Sequence, residues 1–333
     1  MIFLAKRLLT WLILPLFSCS SPQNDNPTKN SIQQKEDADT TFVREIVVFS
    51  NDNGATWLPL SEGLPENTQA SFIDKKDDEL VLATDNQGVF ITENNKASWK
   101  NIGQSLPTSK VNALHVADDA IYVGLYRQGI YKSNDDGNSW QSLNENLPNL
   151  SVQTILKFGE DLLVGTDIGI FKTAVEQIDW TQKSFGAQVL SINEFNGKMI
   201  AGTSQGVLLS VDQGETWTTI HNEGAIHYTA YIDSIMYAFY VSGEGYRSTY
   251  FGNAWSKFDY LPHEGGYIYE LAKIGNTLLM SNNYGLFKST DEGNTWQNYL
   301  PEERFVFFDF LVIENTVYGI TRQADEYRNR KAQ

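Results

Sequence analysis

The chain has 333 residues, of which 41% are hydrophobic and 13% aromatic, enough to bury a large core. Its formal charge of −16 argues against nucleic acid or an anionic membrane face as a partner, since both need a basic footprint. A single cysteine, Cys19, excludes an intrachain disulfide and a cysteine-based metal cluster.

Lys6 and Arg7 give the N-terminus positive charge, and an apolar run from Leu8 to Phe17 follows. The run is short for a membrane span and has the character of an export signal. It ends at Leu16-Phe17-Ser18-Cys19, which resembles a bacterial lipobox: an aliphatic residue, then a small residue directly before the cysteine. That resemblance implies a lipoprotein signal peptide over residues 1–18 and a mature chain lipidated on Cys19. Ser20 stands where an inner-membrane retention signal would place aspartate, which implies the outer membrane, with either of its faces open. The lipid would be the only link to the membrane. Residues 19–43 are polar, and this tether has a reach of roughly 25–30 Å.

From residue 44 to 333 one octapeptide organises the chain. Ser133 to Trp140 is SNDDGNSW, and Ser50 to Trp57, Ser210 to Trp217 and Ser289 to Trp296 share its form, S-x-D-x-G-x-[ST]-W. Three worn copies, Thr92 to Trp99, Thr173 to Trp180 and Ser248 to Trp255, keep the tryptophan. The box aspartates are Asp52, Asp135, Asp212 and Asp291. The tryptophans are Trp57, Trp99, Trp140, Trp180, Trp217, Trp255 and Trp296, spaced by 42, 41, 40, 37, 38 and 41 residues. A period near 40 with four short alternating runs in each is the pattern of a propeller blade. In the repeat ending at Trp140, strands are expected at Val111–Val116, Ala120–Leu125, Gly129–Ser133 and Ser139–Leu143. Arg44 to Leu58 matches only the third and fourth strands of a repeat, and Phe305 to Thr321 only the first and second. Six whole repeats lie between. The expected fold is therefore all-β, a seven-bladed β-propeller of four-stranded blades closed by the N- and C-terminal half-blades. A monomer is expected.

The box suits a tight reversal between the third and fourth strands. Its aspartate can accept backbone N–H groups two residues on, its glycine supplies a positive φ, and its hydroxyls can bridge the hairpin arms. The tryptophan then packs into the blade. A calcium loop would need more oxygen ligands than one consistent carboxylate, so no metal or other cofactor is expected. The boxes resemble the Asp-box (BNR-type) repeats of sialidase, sortilin and xyloglucanase propellers and of photosystem II assembly factors. This resemblance implies that the box fastens the rim of one face while ligands bind at the other. It also supplies the alternative activity, an exo-acting glycosidase. A sialidase needs an arginine triad and an Arg-Ile-Pro motif, and that motif is absent.

The face opposite the boxes collects the turns between second and third strands and the loops joining blades. Candidate ligand-binding residues there are Asp85, Tyr126, Arg127, Asp167, His227, His263, Tyr267, Tyr284 and Arg322. Loops 221–228 and 261–269 are the longest and most aromatic of these segments. Side chains of this mixture suit a protein or glycan ligand at the channel mouth. No nucleophile–base set stands out. The expected function is a lipid-anchored, non-catalytic binding scaffold or assembly factor of the cell envelope.

Overall fold

The computed structural model describes residues 45–52, 54, 56–93, 98–117, 119–249, 252–258, 266–299 and 305–323. Cys19, the leader, the tether and His263 lie outside these residues. Twenty-eight strands form seven antiparallel sheets of four, and the described residues contain no helix. Blade 1 comprises Ala70–Lys76, Glu79–Thr84, Val89–Glu93 and Ser98–Asn101; blade 2 comprises Val111–Ala117, Ala120–Leu125, Gly129–Ser133 and Gln141–Ser142. Blades 3 to 6 open with Val152–Phe158, Val189–Phe195, Ile226–Ile232 and Ile268–Ile274. Blade 7 takes Phe305–Ile313 and Thr316–Gln323 from one end of the chain and Val47–Ser50 and Leu58–Pro59 from the other. Val48 pairs with Gly319 across that junction. The Thr321 hydroxyl donates to the Glu45 carbonyl at 2.6 Å. Each first strand touches the next all the way round, including the last against the first, so the ring is closed.

A blade has two faces to bury, which is why the middle of its second strand is apolar and buried. Ala120–Leu125 is buried at every position. The core is accordingly divided into layers between blades. Tyr122, Ile130 and Leu143 of blade 2 pack on Val152, Ile155, Leu162 and Phe171 of blade 3. Burying such side chains stabilises by roughly 1.5–3 kcal/mol each.

The boxes turn the chain at the outer rim. Asp135 Oδ1 accepts from Ser133 Oγ at 2.8 Å and Ser139 N at 2.9 Å, while Oδ2 accepts from Ser139 Oγ at 2.6 Å. Ser133 Oγ in turn accepts from Gly137 N at 2.8 Å. Asp52, Asp212 and Asp291 repeat the arrangement. The N–H received by the aspartate is thus four residues on, not two. Two successive left-handed residues, Asp136 at φ 54° and Gly137 at φ 80°, carry the chain round before the N–H of Ser139 points back. The box hydroxyls bond to the aspartate rather than across the hairpin. In blade 3, where Asp and Gly are lost, Gly169–Ala174 and Gln177–Gln182 run on to a tight reversal at Val175-Glu176.

The tryptophan works between blades as well as within one. Nε1 of Trp99, Trp140, Trp180 and Trp255 donates to the carbonyls of Leu60, Ile102, Leu143 and Ile220 in the preceding blade, at 2.6, 2.8, 2.8 and 3.2 Å. Trp217 and Trp296 donate instead to their own box glycines, Gly214 and Gly293. The box glycine lies hard against the same neighbour: a Cβ on Gly137 would sit 2.4 Å from Ile102 Cβ. Three residues after each tryptophan stands Leu60, Ile102, Leu143, Ile220, Phe258 or Tyr299, but blade 3 has Lys183. There Glu215 of the next box takes Lys183 at 2.8 Å and Lys172 at 2.6 Å, and Leu163 of blade 3 supplies the apolar contact to Gly214 instead.

Gly137→Ala combines a strained φ with overpacking, and should cost about 1–3 kcal/mol in denaturant unfolding. Hydrogen bonds from Thr216 and Ser210 hold Asp212 down to about 2. Because its folded pKa is depressed, its contribution is full above the ordinary aspartate range and fades as pH falls toward 2. The stability gap between the wild type and Asp212→Asn should therefore be widest near pH 5 and close in acid, as read by unfolding midpoints across that range.

Candidate functional site

The first strand of every blade lines the central channel, and each carries a β-bulge at the same place. Register shifts between Ala70 and Phe72, Val111 and Ala113, Val152 and Thr154, Val189 and Ser191, Ile226 and Tyr228, Ile268 and Glu270, and Phe307 and Asp309. The extra residues are Ser71, Asn112, Gln153, Leu190, His227, Tyr269 and Phe308. A bulge leaves its residue unpaired and re-aims the chain. Here it sets a ring of dissimilar residues at the mouth, of which the sequence reading singled out only His227.

The candidates fall into two groups across this mouth. On blades 5 and 6, the His227 ring stacks on Tyr267 with centroids 3.8 Å apart. His227 Nε2 meets the Ile268 carbonyl at 2.7 Å, so Nε2 carries the proton. Tyr267 also leans on Tyr269 at 5.5 Å, and Asn283 Oδ1 accepts the Tyr267 N–H at 2.7 Å. His221 does not join His227 but bonds to the Tyr240 hydroxyl. Tyr284 is exposed at a turn braced by Asn282 Oδ1. On blades 1 to 3, Tyr126 has Lys110 Nζ and Arg127 Cζ each 5.2 Å from its ring centre. Asp85 accepts from Ser71 Oγ at 2.7 Å. Asp167 Oδ1 accepts from Gln153 and Gln188 at 3.0 and 2.8 Å, and so ties blade 3 to the entry of blade 4. Arg322 does not sit in a turn as expected. Blade 7 has no link from second to third strand, because its halves come from opposite chain ends, and Arg322 pairs with Val306 within Thr316–Gln323.

Below the mouth the innermost strands present an open edge, and polar side chains of the preceding blade occupy it. Asp309 Oδ2 accepts from Ile73 N at 3.2 Å, and Asp74 Oδ2 from Val116 N at 3.0 Å. Asn193 Nδ2 donates to the Thr229 carbonyl at 2.6 Å. The Tyr228 hydroxyl accepts from Leu271 N at 3.3 Å and donates to Glu270 Oε1 at 2.6 Å. Burial, reinforced by the Asp309 charge, holds the Glu270 carboxyl well above the usual carboxylate range, against the opposing effect of the Tyr228 hydrogen bond. Glu270 is hemmed in by protein yet keeps part of its surface on the channel. Burial likewise raises Asp74, and burial with the Lys157 charge lowers His115 to about 4.

Exposed apolar residues add a feature that the polar candidates did not show. Tyr126, Leu150, Ile168, Phe185, Val241 and Tyr284 are large, exposed and all on the mouth face; among the described residues only Leu58 and Val211 are comparable elsewhere. Phe185 is 75% exposed. In sequence they sit singly in turns, and only the ring gathers them.

No protein-family model matches the chain, and no curated protein does. Solved structures share its architecture. The extracellular domain of the BT4673 one component system from B. thetaiotaomicron matches with a TM-score of 0.65 at 13% identity, over 78% of this chain and 38% of that one. YCF48 bound to D1 peptide matches at 0.62 and 17% identity, over 77% of this chain and 94% of that one. The GH74 xyloglucanase from Xanthomonas campestris matches at 0.56 and 16%, over 69% and 44%. This chain thus spans under half the length of the first and third. At such identities the likeness is one of fold.

His115 is neutral at pH 7, with a folded pKa depressed from the ordinary histidine value to about 4. Its neutral burial favours the fold above about pH 6.5, and this is lost as pH falls through 4. Unfolding midpoints should drop between pH 7 and pH 4.5, and His115→Asn should flatten that part of the profile.

Proposed function

We propose that the chain is a lipid-anchored, non-catalytic Asp-box propeller of the bacterial envelope that holds an extended protein segment across its channel mouth, as a scaffold or assembly factor. One observation carries this reading: Tyr126, Leu150, Ile168, Phe185, Val241 and Tyr284 concentrate exposed apolar surface on one face. Scattered singly such residues mean little, but gathered on one face they mark a recognition surface. Leu150, Ile168 and Val241 have side chains with no hydrogen bond to offer a sugar hydroxyl, which favours a protein segment over a glycan. Tyr126, flanked by Lys110 and Arg127, suits an anionic or aromatic group of that segment. His227, Tyr267 and Tyr284 extend the contact on the other side, while Asp85 and Asp167 brace their turns. YCF48, which shares the fold, was solved bound to D1 peptide, and this supports a peptide occupant. The Leu16-Phe17-Ser18-Cys19 pattern supports lipid on Cys19, and the likeness to an extracellular bacterial domain supports the envelope.

Peptides selected from a random display library on the mature chain provide the test, with affinities measured by fluorescence anisotropy. Tyr126→Ala and Phe185→Ala should each weaken the selected peptides by about tenfold or more, as loss of an aromatic anchor does. Their unfolding midpoints should stay at the wild-type value, because both side chains are exposed. Unchanged affinity in both variants, or release of sugar from a glycan panel, would overturn the reading.

A further inference from the structure

Just beneath the mouth, three consecutive blades place Tyr228, Glu270 and Asp309 at one level. Each is the first residue past the bulge on its strand. The equivalent residues on blades 2 to 4 are the shorter Ala113, Thr154 and Ser191. Tyr228 donates to Glu270, and Asp309 is held by the N–H groups of Ile73 and Phe310 at 3.2 and 2.8 Å. Two carboxyl groups therefore sit on adjacent blades, near enough for Asp309 to oppose the ionisation of Glu270. Among the described residues the partners of Glu270 are Tyr228 and backbone, and no lysine or arginine pairs with it.

A second, independent feature points at the same place. Ser281 lies directly opposite Glu270 in the register of blade 6, so the two side chains share a face. Ser281 is fully buried, and its hydroxyl has no hydrogen-bond partner in the protein. Blades 1 to 4 carry Ala83, Gly124, Gly165 and Gly202 at this position. A buried hydroxyl left unsatisfied costs about 1–3 kcal/mol, so the face of blade 6 that carries Glu270 has an acceptor to spare just behind it.

We propose that the channel wall between blades 5, 6 and 7 is a recognition site for a primary ammonium group, the side chain of a lysine carried by the bound segment. This rests on the reading that a protein segment lies across the mouth. An ammonium has three donors, and the Glu270 and Asp309 carboxyls offer acceptors from adjacent blades. At roughly 3.3 Å per strand residue, Glu270 is one step in from Tyr269 at the mouth, within reach of a lysine stem. That stem would pass the Tyr267 and Tyr269 rings. A calcium ion asks for six to eight oxygens, and among the described residues no three His, Cys, Asp or Glu side chains come together to hold a metal. The titratable groups facing Glu270 are Tyr228 from blade 5 and Asp309 from blade 7.

The test uses the full mature chain in detergent micelles, titrated calorimetrically with Nα-acetyl-lysine methylamide and with its uncharged norleucine analogue. The lysine probe should bind and the norleucine probe should not. Affinity for the lysine probe should rise with pH through the upward-shifted titration of Glu270, whose carboxyl is held above the usual carboxylate range by burial. Glu270→Gln should weaken the lysine probe by about tenfold and flatten that rise with pH. Asp309→Asn is read in parallel, with a thermal melt of each variant, and should weaken the probe similarly. Val211→Ser, exposed away from the mouth face, should leave the probe unaffected; because the probe carries only a lysine side chain, its titration is a result separate from the peptide affinities measured at the mouth. Equal binding of the norleucine probe, no binding of the lysine probe at tens of millimolar, or tighter binding of the arginine analogue would overturn the assignment.

Discussion

The ring depends on the contact that each box makes with the blade before it. A four-stranded sheet buries neither face alone, and in a propeller both faces must be covered by neighbours. The tetrapeptide that starts at the box tryptophan serves both sides of this contact. In four blades the indole N–H reaches back to the preceding blade; three residues after a tryptophan, Ile102, Ile220, Phe258 and Tyr299 each lie against the glycine of the following box. A unit that both grips and is gripped assembles head to tail. Ring closure then needs only that the last unit meet the first, which the split blade 7 provides. Where Lys183 breaks the apolar rule, Glu215 of the next box pairs with it, and Leu163 packs on the box glycine in its stead.

The same geometry creates a second demand at the centre. Seven innermost strands turn an open edge toward the channel, and exposed edge groups need partners. Side chains of the preceding blade meet that need: Asp309 for Ile73, Asp74 for Val116, Asn193 for Thr229 and Tyr228 for Leu271. Polar residues are thereby drawn into a confined space where burial shifts their protonation, upward for Asp74 and Glu270 and downward for His115. The rim is uniform because every blade must solve one packing problem. The channel is varied because an open edge accepts several donors and acceptors.

The two faces consequently carry different information. At the boxes, hydroxyl, carboxylate and glycine are consumed by the turn itself, and Asp135 spends both oxygens on Ser133 and Ser139. At the mouth, the turns between second and third strands and the joining loops leave aromatic and aliphatic side chains exposed. Some polar candidates at the mouth are also internal braces: Asp167 joins two blades through Gln153 and Gln188. Others meet as a group, as His227 and Tyr267 do.

The repeat, the strand order within a blade, the count of seven and the closure by two half-blades were all legible in the residues alone. Each is set by local patterns, a tryptophan period near 40 and alternating apolar runs, which act over a few residues at a time. The reach of the box hydrogen bonds was not legible: two consecutive left-handed residues bring the fourth N–H, not the second, to the aspartate. Nor was the place of Arg322, which lies in a strand because blade 7 has no turn from second to third strand. What only the tertiary structure decided is which distant residues share a neighbourhood. Tyr228, Glu270 and Asp309 are separated by about one repeat each, and Leu150, Ile168 and Phe185 look like isolated loop residues until the ring sets them on one face. Their meeting depends on ring curvature and on bulges in the first strands, and both arise from contacts between blades, to which no single segment of the chain is sensitive.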